Sequence, residues 1–225
     1  MWNDSKELKE QLIMLEKLKV GIMKQINLNN GNEDAVIPTK IYPTAKVEPF
    51  QVNGYPVFRF AYDGMLPHYI EDVEYNKIMS DFYFHATISG FDFEDYEDYF
   101  EQGVFIVFCQ YFSDSVIRDL DNRNKKYIQD AIRHSRIIND DDWERVSNIN
   151  IGFTDDFNHT QVYVVEDDNV VDFLNEIMTN NEKYKCIDCI KNNKQSFLES
   201  AKKAGLEEEK NKENNSLFNA KIEDF

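Results

Sequence analysis

Val104–Phe112 reads VFIVFCQYF and is the most strand-like stretch of the chain. It is β-branched and aromatic throughout, so it is expected to be buried on both faces of a sheet, as central strands are. Cys109 inside it reads as a small buried hydrophobe. Downstream the pattern changes. Ser113–Asp121 reads as a loop and Asn122–Arg136 as a helix. Ile149–Phe153 and Thr160–Glu166 read as a second hairpin turning at Asp155-Asp156, and Val170, Val171, Phe173, Leu174, Ile177 and Met178 mark a further helix.

Upstream, four of the five prolines (Pro38, Pro43, Pro49, Pro56) mark a transition into β structure. Val47–Val52 and Val57–Tyr62 alternate as strands around Asn53-Gly54, a two-residue hairpin signal. Tyr75, Ile78, Met79, Phe82 and Tyr83 form a helical stripe, and Asp92–Glu101 follows as a short acidic helix or loop. The expectation is an α+β domain with a mixed β-sheet and flanking helices over residues 36–198.

Residues 1–30 form a separate helical arm in this reading. Leu8, Leu12, Leu15, Ile22 and Ile26 follow the alternating spacing of a heptad seam, with Lys19 its polar interruption and Leu18 beside it. Asp4 or Ser5 caps this amphipathic helix and Asn29-Asn30-Gly31 stops it. Two readings of the arm stand: packing on its own domain, or self-association as a coiled coil. Residues 199–225 lose their apolar positions, and their Glu207–Asn215 tract reads as a disordered acidic tail.

Composition narrows the function. The 225 residues suffice for one substantial core without disulfide help. Three cysteines show no scaffold spacing, no apolar run approaches a membrane span, and the N-terminus lacks a signal-peptide pattern. The expectation is therefore a cytoplasmic protein with no membrane partner. A net charge of −17 opposes nucleic-acid binding when taken as an average. The average hides a polarity: Arg118–Arg136 holds six basic residues against three acids, while Asp92–Glu101 holds six acids and no base.

The chemistry gathers in that basic stretch, RDLDNRNKK over Arg118–Lys126, followed by Asp130 and by Asp140-Asp141-Asp142. Asp119 and Asp121, two apart in extended backbone, leave one side of the chain. Lys126 and Asp130 share a helix face. Carboxylates converging on one point repel each other, and a hard cation such as Mg²⁺ relieves that repulsion while keeping waters for phosphate oxygens. A nearby lysine then stabilises developing charge on phosphate. Turn formation and helix capping account for the same Asp and Asn residues without any metal, and this second reading stays open.

The run RDLDNRNKKYIQDAI, then NDDDW, resembles the signature of RusA-type Holliday-junction resolvases. It resembles still more closely a RusA-like family from bacterial mobile elements, whose members also carry an N-terminal helix. The likeness covers Phe82 to Glu166 and rests on order, spacing and the apolar strand before the motif. It implies a RusA-like fold, with Asp119, Asp121 and one of the triplet, Asp141 by its spacing from Asp130, as metal ligands for Mg²⁺. It also implies a catalytic lysine. Counting from Asp119 selects Lys125 and counting back from Asp130 selects Lys126, which helix register favours. Asn122 would position the loop. A homodimer acting on branched or structured DNA is the implied assembly.

Such enzymes are basic, whereas this chain is acidic, and Trp143-Glu144 replaces the small or apolar residues usual after the aspartates. Three readings follow: a metal-dependent endonuclease of branched DNA in mobile-element or phage DNA processing, an inactive RusA-like accessory binder, or an acidic DNA mimic. The remaining signals are smaller. Cys186-Ile187-Asp188-Cys189 is a single CxxC, read as incidental with inter-chain or metal use as the alternative, and His68, His85 and His134 read as solvent-facing or capping.

Overall fold

The computed structural model describes residues 45–100 and 102–185, with eleven further positions between residues 7 and 22. The expected tail, the Cys186/Cys189 pair, and Leu12 and Ile26 of the arm lie outside the described residues.

Strands β1 (Ala45–Val52) and β2 (Tyr55–Asp63) form the expected hairpin, in register from Val52 opposite Tyr55 to Ala45 opposite Tyr62. Its turn is tight because Asn53 and Gly54 both take positive φ, 46° and 95°, as a twist-matched two-residue turn requires. Helix α1 (Val73–Ser89) follows. Asp72 caps it by accepting a 2.8 Å hydrogen bond from the Tyr75 amide, and Tyr75, Phe82, Tyr83 and Ala86 form its buried stripe. The acidic stretch holds a single 3₁₀ turn, Glu94–Tyr96.

Strand β3 is Val104–Phe112, as expected, and it is central. Helix α2 (Lys126–His134) returns the chain to β4 (Val146–Thr154), which pairs parallel with β3. Strand β5 (His159–Glu166) lies antiparallel on the other side of β3 and joins it to β2. Helix α3 (Val170–Tyr184) closes the fold. The sheet order is β1-β2-β5-β3-β4.

Two expectations are corrected here. The proposed hairpin of Ile149–Phe153 with Thr160–Glu166 does not form, because β3 lies between those strands. Buried on both faces, β3 needs a partner at each edge. The helical crossover makes the parallel β4 pairing possible. Residues 155–158 then step over the end of β3, where the Asp155 amide donates to the Phe112 carbonyl at 2.9 Å. The helix expected over Asn122–Arg136 is also shorter. Asn122–Asn124 bonds instead to the Pro67–Tyr69 segment, which holds Arg123 extended and delays the helix to Lys126.

Period-two alternation divides the core. Phe58, Phe60, Ile106, Phe108, Val162 and Val164 face α1 and α2, meeting Tyr83, Tyr127, Ile128 and Ile132. Val57, Val107, Cys109, Tyr163 and Val165 face α3, meeting Phe173, Ile177 and Tyr184. Each such large side chain contributes about 1.5–3 kcal/mol of burial. The fold is α+β in three layers, a five-stranded mixed sheet between helices. Outside it, described positions between residues 7 and 22 are helical, with Leu8, Leu15, Leu18 and Ile22 exposed. Lys17 there forms an ion pair with Asp72, at the start of α1. Among the described residues no helix is long and apolar enough to cross a membrane.

Candidate functional site

The Asp119–Asn122 segment turns in a single 3₁₀ loop that the sequence itself closes. Asp119 accepts the Asp121 amide and the Asn122 side-chain amide, both at 3.0 Å. Leu120 points onto the sheet over Gly152 of β4, where an added Cβ would lie 3.7 Å from its nearer methyl. That contact seats the turn beside the carboxyl ends of β3 and β4, where open sheets commonly bind ligands. Asp121 is exposed.

The chain then pairs with an upstream segment. The Tyr69 amide donates to the Asn122 carbonyl at 3.1 Å and the Asn124 amide to the Pro67 carbonyl at 2.8 Å. Arg123 reaches the Leu66 carbonyl at 2.9 Å. Asn124 accepts the Lys126 amide at 3.0 Å and so begins α2.

The two candidate lysines separate. Lys125 lies over the sheet, its Nζ 3.3 Å from Asn148 Oδ1 and 5.9 Å from the Phe108 ring centroid. Lys126 points outward with a 74% exposed side chain and pairs with Asp130 at 3.1 Å. Of the aspartate triplet, Asp140 and Asp142 are exposed, whereas Asp141 is half-buried and 3.6 Å from Arg133 Nε. Asp142 is turned to the Glu144 and Arg145 amides, at 2.9 and 3.1 Å.

An open cleft of ≈ 290 Å³ brings Asp141 together with Arg123, Lys125, Lys126 and Asp130, beside Tyr69. The structure thus joins Lys126 to Asp141, while Asp119 and Asp121 are not part of the cleft wall. Among the described residues no three His, Cys, Asp or Glu side chains are grouped to hold a metal ion. The donor chemistry of the three aspartates suits a hard cation, and Mg²⁺ needs only one or two carboxylates. Their arrangement here is not a single three-carboxylate centre.

The basic excess is also spent locally. Arg118 holds Asp114 through two guanidinium nitrogens and covers the Phe112 ring at 4.9 Å. This bonding keeps the Asp114 carboxyl down at about 2. Arg136 pairs with Glu97 at 2.8 Å. Arg123, Lys125 and Lys126 line the cleft, with Arg123 bonded to the Leu66 carbonyl and Lys126 paired with Asp130.

Sequence reasoning missed a second polar centre on the opposite sheet face. His159 is fully buried, stacked on Tyr111 at 4.2 Å between ring centroids, with the tilted Phe157 ring at 4.8 Å. Its Nε2 lies 2.8 Å from Asp155, its Nδ1 3.0 Å from Gln161. Lys185, with a side chain only 1% exposed, donates to the same Asp155 at 2.8 Å and covers the Tyr111 ring at 4.8 Å. Burial raises the Asp155 carboxyl, but the Lys185 and His159 bonds outweigh it and hold it at about 2. For His159 burial wins over Asp155, so its pKa falls below the usual value. Burial also pushes the Cys109 thiol up, leaving it inert. No short motif encodes this centre, because its members come from β3, the β4–β5 link, β5 and the residue after α3.

Gln110, only 1% exposed, is the other feature without a sequence signal. Neither of its amide atoms has a partner, and Asn150 Oδ1 nearby is also unpaired. By register both face the side of the sheet that carries Leu120 and Lys125. No known protein-family model matches the chain, and no curated protein matches it.

Proposed function

We propose that this chain acts on branched or otherwise structured DNA as a RusA-like, Mg²⁺-dependent endonuclease, serving mobile-element or phage DNA processing in the cytoplasm. One observation carries the reading. A single crossover unit, β3–turn–α2–β4, sets the Asp119-Leu120-Asp121-Asn122 turn, the lysine pair and Asp141 around the start and outer side of one helix. That arrangement along one crossover supports the reading.

In this reading Asp119 and Asp121 would hold the cation, which would supply Lewis acidity at the scissile phosphate, while Asp141 lines the neighbouring cleft. Lys126, or Lys125 over the sheet, offsets negative charge on that phosphate. Asn122 fixes the turn through Asp119. The exposed Leu8, Leu15 and Ile22 seam supports pairing of two copies through the N-terminal arms.

A second reading has its own support. Asp119 is engaged within its turn and Asp141 faces Arg133, so the carboxylates are committed to separate contacts. That favours an accessory protein of the same fold that binds DNA without cutting it. Calorimetric titration of Mg²⁺ into the full chain separates the two. The nuclease reading expects one site that Asp121→Asn weakens at least ten-fold. Absence of Mg²⁺ binding, or equal binding by the variant, leaves the accessory reading.

A further inference from the structure

We propose that Tyr69 is a stacking platform for an unpaired nucleotide base, and that the cleft beside it takes single-stranded rather than duplex DNA. The inference rests on the nucleic-acid reading above and deepens it by naming the substrate class.

Tyr69 is 65% exposed although it stands between two buried anchors, Leu66 and Ile70. Its backbone is not free. The bonds from Tyr69 to Asn122, from Asn124 to Pro67 and from Arg123 to Leu66 tie its segment to the start of the α2 unit. A large aromatic ring is therefore held in solvent on a fixed backbone, at the wall of a cleft that also presents Arg123, Lys125 and Lys126. A rigid aromatic beside cations is the arrangement that binds single strands: the ring takes a base face and the cations take phosphates. A second exposed aromatic, Trp143, is 85% exposed and follows Asp141 of the same wall by two residues.

Two arguments select the unpaired form. In a duplex the base faces are stacked on one another, so Tyr69 would have nothing to cover. A duplex footprint also draws its affinity from many phosphate contacts. This cleft is lined by three cations, of which Arg123 also bonds the Leu66 carbonyl and Lys126 is paired with Asp130, and it faces two carboxylates, in a chain of net charge −17. At most three phosphate contacts suit a short single-stranded segment such as a flap, with a salt slope no steeper than about −2.

The test uses the full chain in EDTA, so that binding is read without cleavage. Fluorescence anisotropy is measured with a labelled oligothymidine of about 16 nucleotides and with a blunt duplex of equal length, against the parent, Tyr69→Ala and Tyr69→Phe. The expected result is tighter binding of the single strand, a loss of about ten-fold or more in Tyr69→Ala, and retention in Tyr69→Phe. Thermal melting of both variants should match the parent, since the ring is exposed. Equal binding by Tyr69→Ala, preference for duplex, or no binding of either probe overturns the proposal. Thymidine monophosphate competing as well as the strand overturns it too, by assigning the site to free nucleotides. Asp121→Asn keeps the two ideas apart: loss of cleavage with intact Tyr69-dependent binding supports both, whereas cleavage independent of Tyr69 refutes only the stacking platform.

Discussion

Replacing Lys185 by Met tests whether the buried centre clips the end of α3 to the link between β4 and β5. The parent Lys185 ammonium is 2.8 Å from Asp155 in a side chain 1% exposed, and Asp155 itself is largely covered. Breaking a buried pair from one side commonly costs about 3–5 kcal/mol, because the remaining charge is left uncompensated. Here the loss is partly offset, since His159 still bonds Asp155 at 2.8 Å. Methionine also keeps most of the stem volume over Tyr111. The expected cost is therefore about 2–4 kcal/mol, a fall in Tm of roughly 5–15 °C for a chain of this size. Urea unfolding with a shared m-value gives the free energy. The Asp155→Asn variant and the double variant complete a cycle in which the double should cost clearly less than the sum. A cost below about 1 kcal/mol, or strict additivity, refutes the claim that these groups are coupled.

Further outcomes follow from the same geometry. His159 is held neutral by burial, so its contribution is complete above its unfolded pKa of about 6.5 and is lost as pH falls below it. The parent Tm should therefore drop between about pH 7 and 5, and His159→Gln should flatten that limb; a parallel profile contradicts the reading. Asp155, held at about 2, adds a second loss only under strongly acid conditions, as pH falls from its unfolded value toward that point. Gln110→Met removes two unpaired buried atoms at nearly constant volume and should raise stability by about 1–2 kcal/mol in urea unfolding, whereas destabilisation would mean that the amide is satisfied. Asp119→Ala removes the acceptor that closes its turn and should cost about 1 kcal/mol; an unchanged melting profile would show that Leu120 alone seats the loop.

The legible parts of the fold were those set by local patterns. The Asn53-Gly54 turn, the two-face burial of Val104–Phe112 and the helices marked by Tyr75–Tyr83 and Val170–Met178 appear where the residues indicate, although Val171 and Met178 are exposed. Pairing was less legible. Alternation identifies strands but not neighbours, so the closeness of Ile149–Phe153 and Thr160–Glu166 in sequence suggested a hairpin. The need of β3 for two partners decided otherwise. The helix start was misplaced for a similar reason: Pro67–Tyr69, over fifty residues upstream, captures Asn122–Asn124. Within the candidate site, Lys126 and Asp130 meet as their spacing requires, and Asp141 is the triplet member turned inward. Tyr69, Gln110 and His159 carried no pattern, since exposure, missing partners and burial arise only when distant segments meet.

The most direct measurement is cleavage of a labelled four-way junction by the full chain with Mg²⁺, followed on a denaturing gel for the parent and Asp121→Asn. Paired incisions by the parent that need the cation and vanish in the variant are the expected result. Intact junction with the parent across Mg²⁺ concentrations, or undiminished cutting by Asp121→Asn, contradicts the assignment.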